Sequence, residues 1–293
     1  MNSHHALSRR SALVCLFLVV ALGLWAANSS YERSFSTLDR DGSVAIKTDS
    51  VDITIQQNSL SDKLEITLSG SGRNRYNLTV HEDGGDFSIE VRRKKQWLIR
   101  IFQKTEAALD VTLPASWKNG DLEIGSVSGS IRLDAALVAS EIDLETVSGS
   151  IRFSDLIASD DVQMKSVSGT ISGDTAEAPS MEINTVSGTI GLDRLEITDD
   201  GTADISSISG SIHLAQTKAD TLAVRTISGS IFCTIDGSFD GILKVRTTSG
   251  NINSRISGAN GEETDNRTHS YTLGKGPGLI EIVSTSGSLS IKQ

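Results

Sequence analysis

The sequence predicts an all-β fold, a single-stranded parallel β-helix with a coil of about 20 residues. Three observations predict it: a Ser-Gly step that returns eight times, aliphatic residues at fixed offsets around each step, and strict alternation of aliphatic with polar residues between steps. The steps fall at Gly129, Gly149, Gly169, Gly188, Gly210, Gly229, Gly250 and Gly287. Their spacings are 20, 20, 19, 22, 19 and 21, then 37, which is one period plus an insertion within 253–278. Periodicity of this length is the signature of stacked repeats, each unable to bury its apolar face alone.

Aligned on those glycines, the chain becomes a set of columns. Two residues after each glycine stands Ile131, Ile151, Ile171 and so on, ending in Leu289. Five and seven before stand apolar residues such as Ile124 and Leu122, with Glu123 between them. Alternation of this kind places one set of side chains inside and the other outside a strand. Each repeat is then a strand, a Ser-Gly corner, a second short strand and a variable return. Glycine suits a corner because it adopts φ > 0 without a Cβ clash. The serine before it is expected to form a hydroxyl ladder bonding corner amides, which are costly to bury unpaired. Coils stack in sequence order, each about 4.8 Å above the last. Parallel crossovers are overwhelmingly right-handed, and the six-residue period of left-handed helices is absent, so the expected hand is right.

Taken from the start, residues 1–30 lie outside the pattern. Arg9 and Arg10 precede an uncharged apolar run from Ala12 to Ala27, followed by Asn28-Ser29-Ser30. That is the layout of a signal peptide, or of an amino-terminal membrane anchor if it stays uncleaved. Residues 31–120 form an irregular β cap with degenerate first coils. "VAIKTDSVDITI" (44–55) has the repeat's shape with Val51 in the glycine position, and "YNLTV-HEDGGD-FSIEV" reads as a hairpin. Caps are expected because an open end offers free strand edges to other chains. Residues 121–293 carry the repeats.

The stretches "LDVTLPASWKNGDLEIGSVSGSI" (109–131) and "LGKGPGLIEIVSTSGSLSI" (273–291), with the Ser-Gly repeats between them, resemble the bacterial putative-adhesin β-strand-repeat family. That resemblance implies an exported or membrane-tethered β-helix, with some members tied to envelope stress. It brings no catalytic residues to carry over.

The composition narrows the function further. Net charge is −10, and the segment 1–30 holds two arginines and no acid, so the body alone is more acidic still. Such an excess argues against a nucleic-acid partner for the body as a whole. Beyond Ser30 only Cys233 remains, so no internal disulfide can form; its column also holds Leu133, Phe153 and Leu214, so it reads as core. The outward column three after each glycine (Arg132, Arg152, Ser172, Gly191, His213, Phe232, Asn253, Ser290) carries no carboxylate stack for acid–base work. Between 121 and 255 no Trp or Tyr offers a sugar platform. His81, His213 and His269 are separated in sequence, and no cofactor or metal set emerges. "LDRDGS" (38–43) reads as a β-turn.

One stretch stands apart: "RRKKQWLIRIFQK" (92–104), with six positive charges and no acid. Arg92, Arg93, Lys94 and Lys95, expected at a hairpin turn, and Trp97 form a candidate contact with lipid or another anionic envelope surface. The expected function is an exported non-enzymatic scaffold at the cell envelope, acting in adhesion or as a stress-linked binding module. Its partner would be an envelope component, an anionic membrane surface or another envelope protein. The alternative is a carbohydrate-active enzyme working in a groove along the helix.

Overall fold

The computed structural model describes residues 30–35, 38–58, 62–94, 106–257 and 260–293, so the expected signal or anchor falls, but for Ser30, outside the described residues. The described chain is all β and solenoid-like, apart from a single 3-10 turn at Arg73–Arg75. Strands on either side of each Ser-Gly corner build two parallel ladders. In the first, Leu122, Ile142, Val162, Met181, Ala203 and Leu222 stand in register on successive strands. In the second, the same holds for Ile131, Ile151, Ile171, Ile190, Ile212 and Ile231. The sequence columns are therefore the structural register, and we call each strand–corner–strand unit a rung. The inward columns of both ladders merge into one hydrophobic core.

Two details of the corner differ from expectation. None of the eight corner glycines has positive φ; among the described glycines that conformation occurs at Gly70, Gly84, Gly85 and Gly274. Glycine is required by close approach instead. A Cβ on Gly149 would collide with the carbonyl oxygen of Gly129, one on Gly169 with that of Gly149, and so on along the ladder. The first in the series, Gly129, lies over the carbonyl of Val51.

The second difference concerns the hydroxyls. Ser128 and its equivalents are exposed, and the amide of Gly129 donates instead to the buried Ser126 Oγ at 2.9 Å. Thr146, Ser166, Thr185 and Ser207 accept from Gly149, Gly169, Gly188 and Gly210 in the same way. The corner amide faces inward, so only a hydroxyl on the inward side, three residues earlier, can reach it. These hydroxyls satisfy donors that burial would otherwise leave costly.

Stacking follows the sequence only in the middle. At the carboxyl end, Gly278–Ser286 and Leu289–Lys292 pair directly with Thr221–Ser228 and Ile231–Ile235. The earlier strands Gly241–Ser249 and Ile252–Arg255 lie on the far side of them. The expected sequential order is thus exchanged: the last rung sits between the two that precede it. The 253–278 insertion makes this crossing, and its strands Asn260–Asp265 and Thr268–Leu273 fold as an antiparallel cap on Gly241–Ser249.

The amino-terminal end mirrors this. Val44–Thr48 and Asp52–Asn58 form the degenerate rung and stack in register on Leu122–Ser126 and Ile131–Leu133. Beyond them lie Asp86–Arg93 and Ala108–Pro114, later in sequence yet farther out. Antiparallel strands close this end: Tyr76–Asp83 against Asp86–Arg93, Leu64–Ser69 against Ala108–Pro114, and Tyr31–Phe35 outermost. The expected hairpin turns at Gly84–Gly85, where φ is +62° and +97°. Trp117 is fully buried here and donates its indole N–H to Gly42 O at 2.7 Å.

Candidate functional site

The amino-terminal end gathers the described part of the basic stretch. Arg92 and Arg93 are the last two residues of a strand rather than members of a turn, and Lys94 follows directly. Lys95 and Trp97 lie outside the described residues. Arg92 donates to Glu90 Oε1 at 2.5 Å, an exposed pair that adds little stability. The Arg93 amide donates to Asp49 Oδ2 at 3.0 Å. Lys94 ties down the neighbouring 3-10 turn: its amide donates to Arg75 O at 2.7 Å and its ammonium to Asn74 O at 2.9 Å. A shallow depression of about 500 Å³ brings Lys94, Arg73, Tyr76 and the exposed Tyr31 together. Arg33 stacks over the Tyr31 ring, 5.2 Å from its centroid. Basic and aromatic groups thus share the end of the solenoid at which Tyr31 begins the first strand.

The second feature runs along the flank and was missed in the sequence. Two residues before each corner glycine stand Val127, Val147, Val167, Val186, Ile208 and Ile227, exposed by 40–54%. Alternation assigns this column outward, so a run of β-branched residues there was the available signal. The stripe ends at Asp49 on one side and at Thr285 and Thr248 on the other. Beside it lies a groove of about 870 Å³ whose floor includes Lys47, Glu123, Asp143, Glu145 and Lys165.

Glu123, Asp143, Gln163, Glu182 and Asp204 form an in-register, acid-rich column there, on the flank away from Arg132 and Arg152. Neighbours neutralise most of it. Lys47 pairs with Glu123 at 2.8 Å, Arg225 with Asp204 at 2.5 Å, and Gln163 donates to Glu182 at 3.2 Å. Asp143 differs: one carboxylate oxygen is buried without a partner, and burial, then the nearby Glu145, hold its pKa above the usual carboxylate value.

Other residues with chemical potential have structural duties. Cys233 is fully buried in the core, and burial pushes its thiol up to about 12, which keeps the nucleophilic thiolate unpopulated. His213 stacks edge-on against Phe232. His269, on the carboxyl-terminal cap strand, has its Nδ1 3.0 Å from Ser254 Oγ and 3.2 Å from Tyr271 OH, a polar cluster within that cap. Among the described residues no group of three or more His, Cys, Asp or Glu is placed to hold a metal ion, and no helix is long and apolar enough to cross a membrane.

Two parallel ladders closed at both ends by antiparallel strands define the class, an all-β solenoid-like domain. The chain belongs to the Toastrack DUF4097 family, whose model matches residues 43–292. Among solved structures it is similar to a putative adhesin from Bacteroides fragilis NCTC 9343, at 13% identity over 90% of this chain and 96% of that one, with a TM-score of 0.51. A putative adhesin from Parabacteroides merdae ATCC 43184 is 13% identical over 91% and 96% of the two chains, with a TM-score of 0.48. The first likeness bears on the fold alone. The comparison with curated proteins finds no match.

Proposed function

We propose that this protein is an exported, non-enzymatic scaffold of the cell envelope, a right-handed β-helix with a coil of about 20 residues. Its amino-terminal end would rest on an anionic membrane surface, with residues 1–30 serving as signal or anchor. One observation carries the reading: Lys94, Arg73 and exposed Tyr31 line one depression beside Arg92 and Arg93, at the end from which the first strand departs. Lys95 and Trp97 extend the same basic, aromatic stretch. Each basic residue near an anionic bilayer contributes about 1 kcal/mol, screened by salt. Four together can hold an otherwise acidic body at the surface. The rest of the solenoid is then left to present its flank to partners in adhesion or stress sensing.

The test is co-sedimentation of residues 31–293 with phosphatidylserine-containing vesicles at low salt. Wild type binds. Changing Arg92, Arg93, Lys94 and Lys95 to glutamate abolishes binding and leaves the melting temperature nearly unchanged. Wild-type protein that ignores such vesicles overturns the reading.

A further inference from the structure

We propose that the corner ridge is an interface between two copies of this chain, packed side by side and parallel about a two-fold axis along the ridge. The ridge consists of the four residues around each corner, Val-Ser-Gly-Ser at 127–130 and its equivalents up to Ile-Ser-Gly-Ser at 227–230. Across six rungs none of these residues carries a charge, in a chain whose net charge is −10. Two bodies of like net charge repel least where their facing surfaces carry none. Each rung presents one exposed valine or isoleucine. Being β-branched, these side chains lose little rotamer freedom when covered. Six rungs extend about 24 Å at the spacing of paired strands.

A second copy fits this ridge better than an unrelated protein because equal residues at equal spacing are self-complementary, as a two-fold contact requires. Charge on the two flanks then chooses the orientation. On one side of the ridge stand Asp143 with Glu123 and Glu145, the last two shared with Lys47 and Lys165; on the other, at the same two rungs, stand Arg152 and Arg132, the latter shared with Asp134. A two-fold axis along the ridge brings the carboxylates of each copy to the side of the other copy's arginines at these two rungs. An antiparallel pairing instead sets the rung of Asp143 against that of Asp204, and the rung of Arg152 against that of His213.

Six half-exposed valine and isoleucine side chains fall short of the roughly 800 Å² per partner typical of stable complexes. The contact is therefore reversible and concentration-dependent. Both amino-terminal ends lie together in the parallel pair, so two basic faces would meet one membrane and bind with avidity.

The test uses the full-length chain with Cys15→Ser, free of vesicles, so its outcome is separate from lipid binding. Cys233 is buried and unreactive, so an added cysteine reports alone. Val127→Cys and Ile227→Cys, each by itself, should oxidise to covalent dimers. Cross-linking only when the two variants are mixed would overturn the parallel arrangement. By sedimentation velocity, wild type should shift from monomer to dimer with concentration, and Val167→Glu with Val186→Glu should remain monomeric at unchanged melting temperature. Glu145→Arg or Arg152→Glu alone should weaken the dimer a few-fold, as exposed ion pairs do, and the double exchange should restore it. A wild-type chain that stays monomeric throughout, or glutamates on the ridge that leave the dimer intact, overturns the proposal.

Discussion

Between Leu122 and Ile235 every rung rests on the rung before it in the chain, whereas at both ends the order is exchanged and antiparallel strands close the stack. The middle is held by contacts about one period apart, and one repeated phrase specifies all of them. The ends are held by pairings such as Val44 with Leu122 and Thr221 with Leu279, each spanning several periods of chain. A stack of parallel strands propagates by repetition but cannot terminate by it, since one more rung always leaves another open edge. This chain terminates with strands of opposite direction, and the insertions supply the chain length to place them.

The largest effect that separates the two regions is expected from removing residues 278–293. Were the rungs stacked in sequence order, this would shorten the solenoid by its final rung. In the observed order it extracts the rung on which Gly241–Ser249 rests. Hydrogen exchange should then show residues 241–273 losing protection to the level of fraying segments while 122–226 keep theirs. Retained protection over 241–273 would contradict the exchanged order.

A smaller effect is expected within the middle. Excising Ile131 to Ser150 joins equivalent positions and should leave a folded, β-rich protein with a cooperative melt. Excising residues 131–140, half a period, turns inward columns out of register and should give aggregation. Equal tolerance of both by circular dichroism would sink the stacked-repeat description.

The smallest effect distinguishes two hydroxyl columns that stand two positions apart. Thr146→Val removes the acceptor of the buried Gly149 amide and should cost about 1–3 kcal/mol in urea denaturation. Ser148→Ala removes an exposed hydroxyl and should change stability by no more than about 0.5 kcal/mol.

These columns also mark how far the sequence could be read. Ile131, Ile124, Leu122 and their equivalents were legible because the period in the chain equals the register in the ladder. Ser126, Thr146 and their successors are Ser or Thr in all eight repeats, yet the more conspicuous serine beside each glycine drew the role of amide partner to itself. The corner glycines were recognised with the wrong cause: positive φ was expected where backbone crowding decides. The exchanged order was not legible, because the long gap before Gly287 fits either side of Gly250 equally well. The basic stretch was visible as composition, while its neighbours Tyr31 and Arg73 are brought to it only by antiparallel closure.

The exchanged order at the carboxyl end also bears on biosynthesis. A chain leaving the ribosome, or threading through a membrane, can stack its middle rungs as they emerge. Residues 241–255 must wait, because the strand that belongs beneath them has yet to be made. Until residues through Lys292 are available the growing end keeps an exposed strand edge, the feature that quality-control proteases and chaperones seize. Closure of the fold at this end thus waits on Gly278–Ser286 and Leu289–Lys292, and a chain interrupted before them carries an open strand edge as the mark of the interruption.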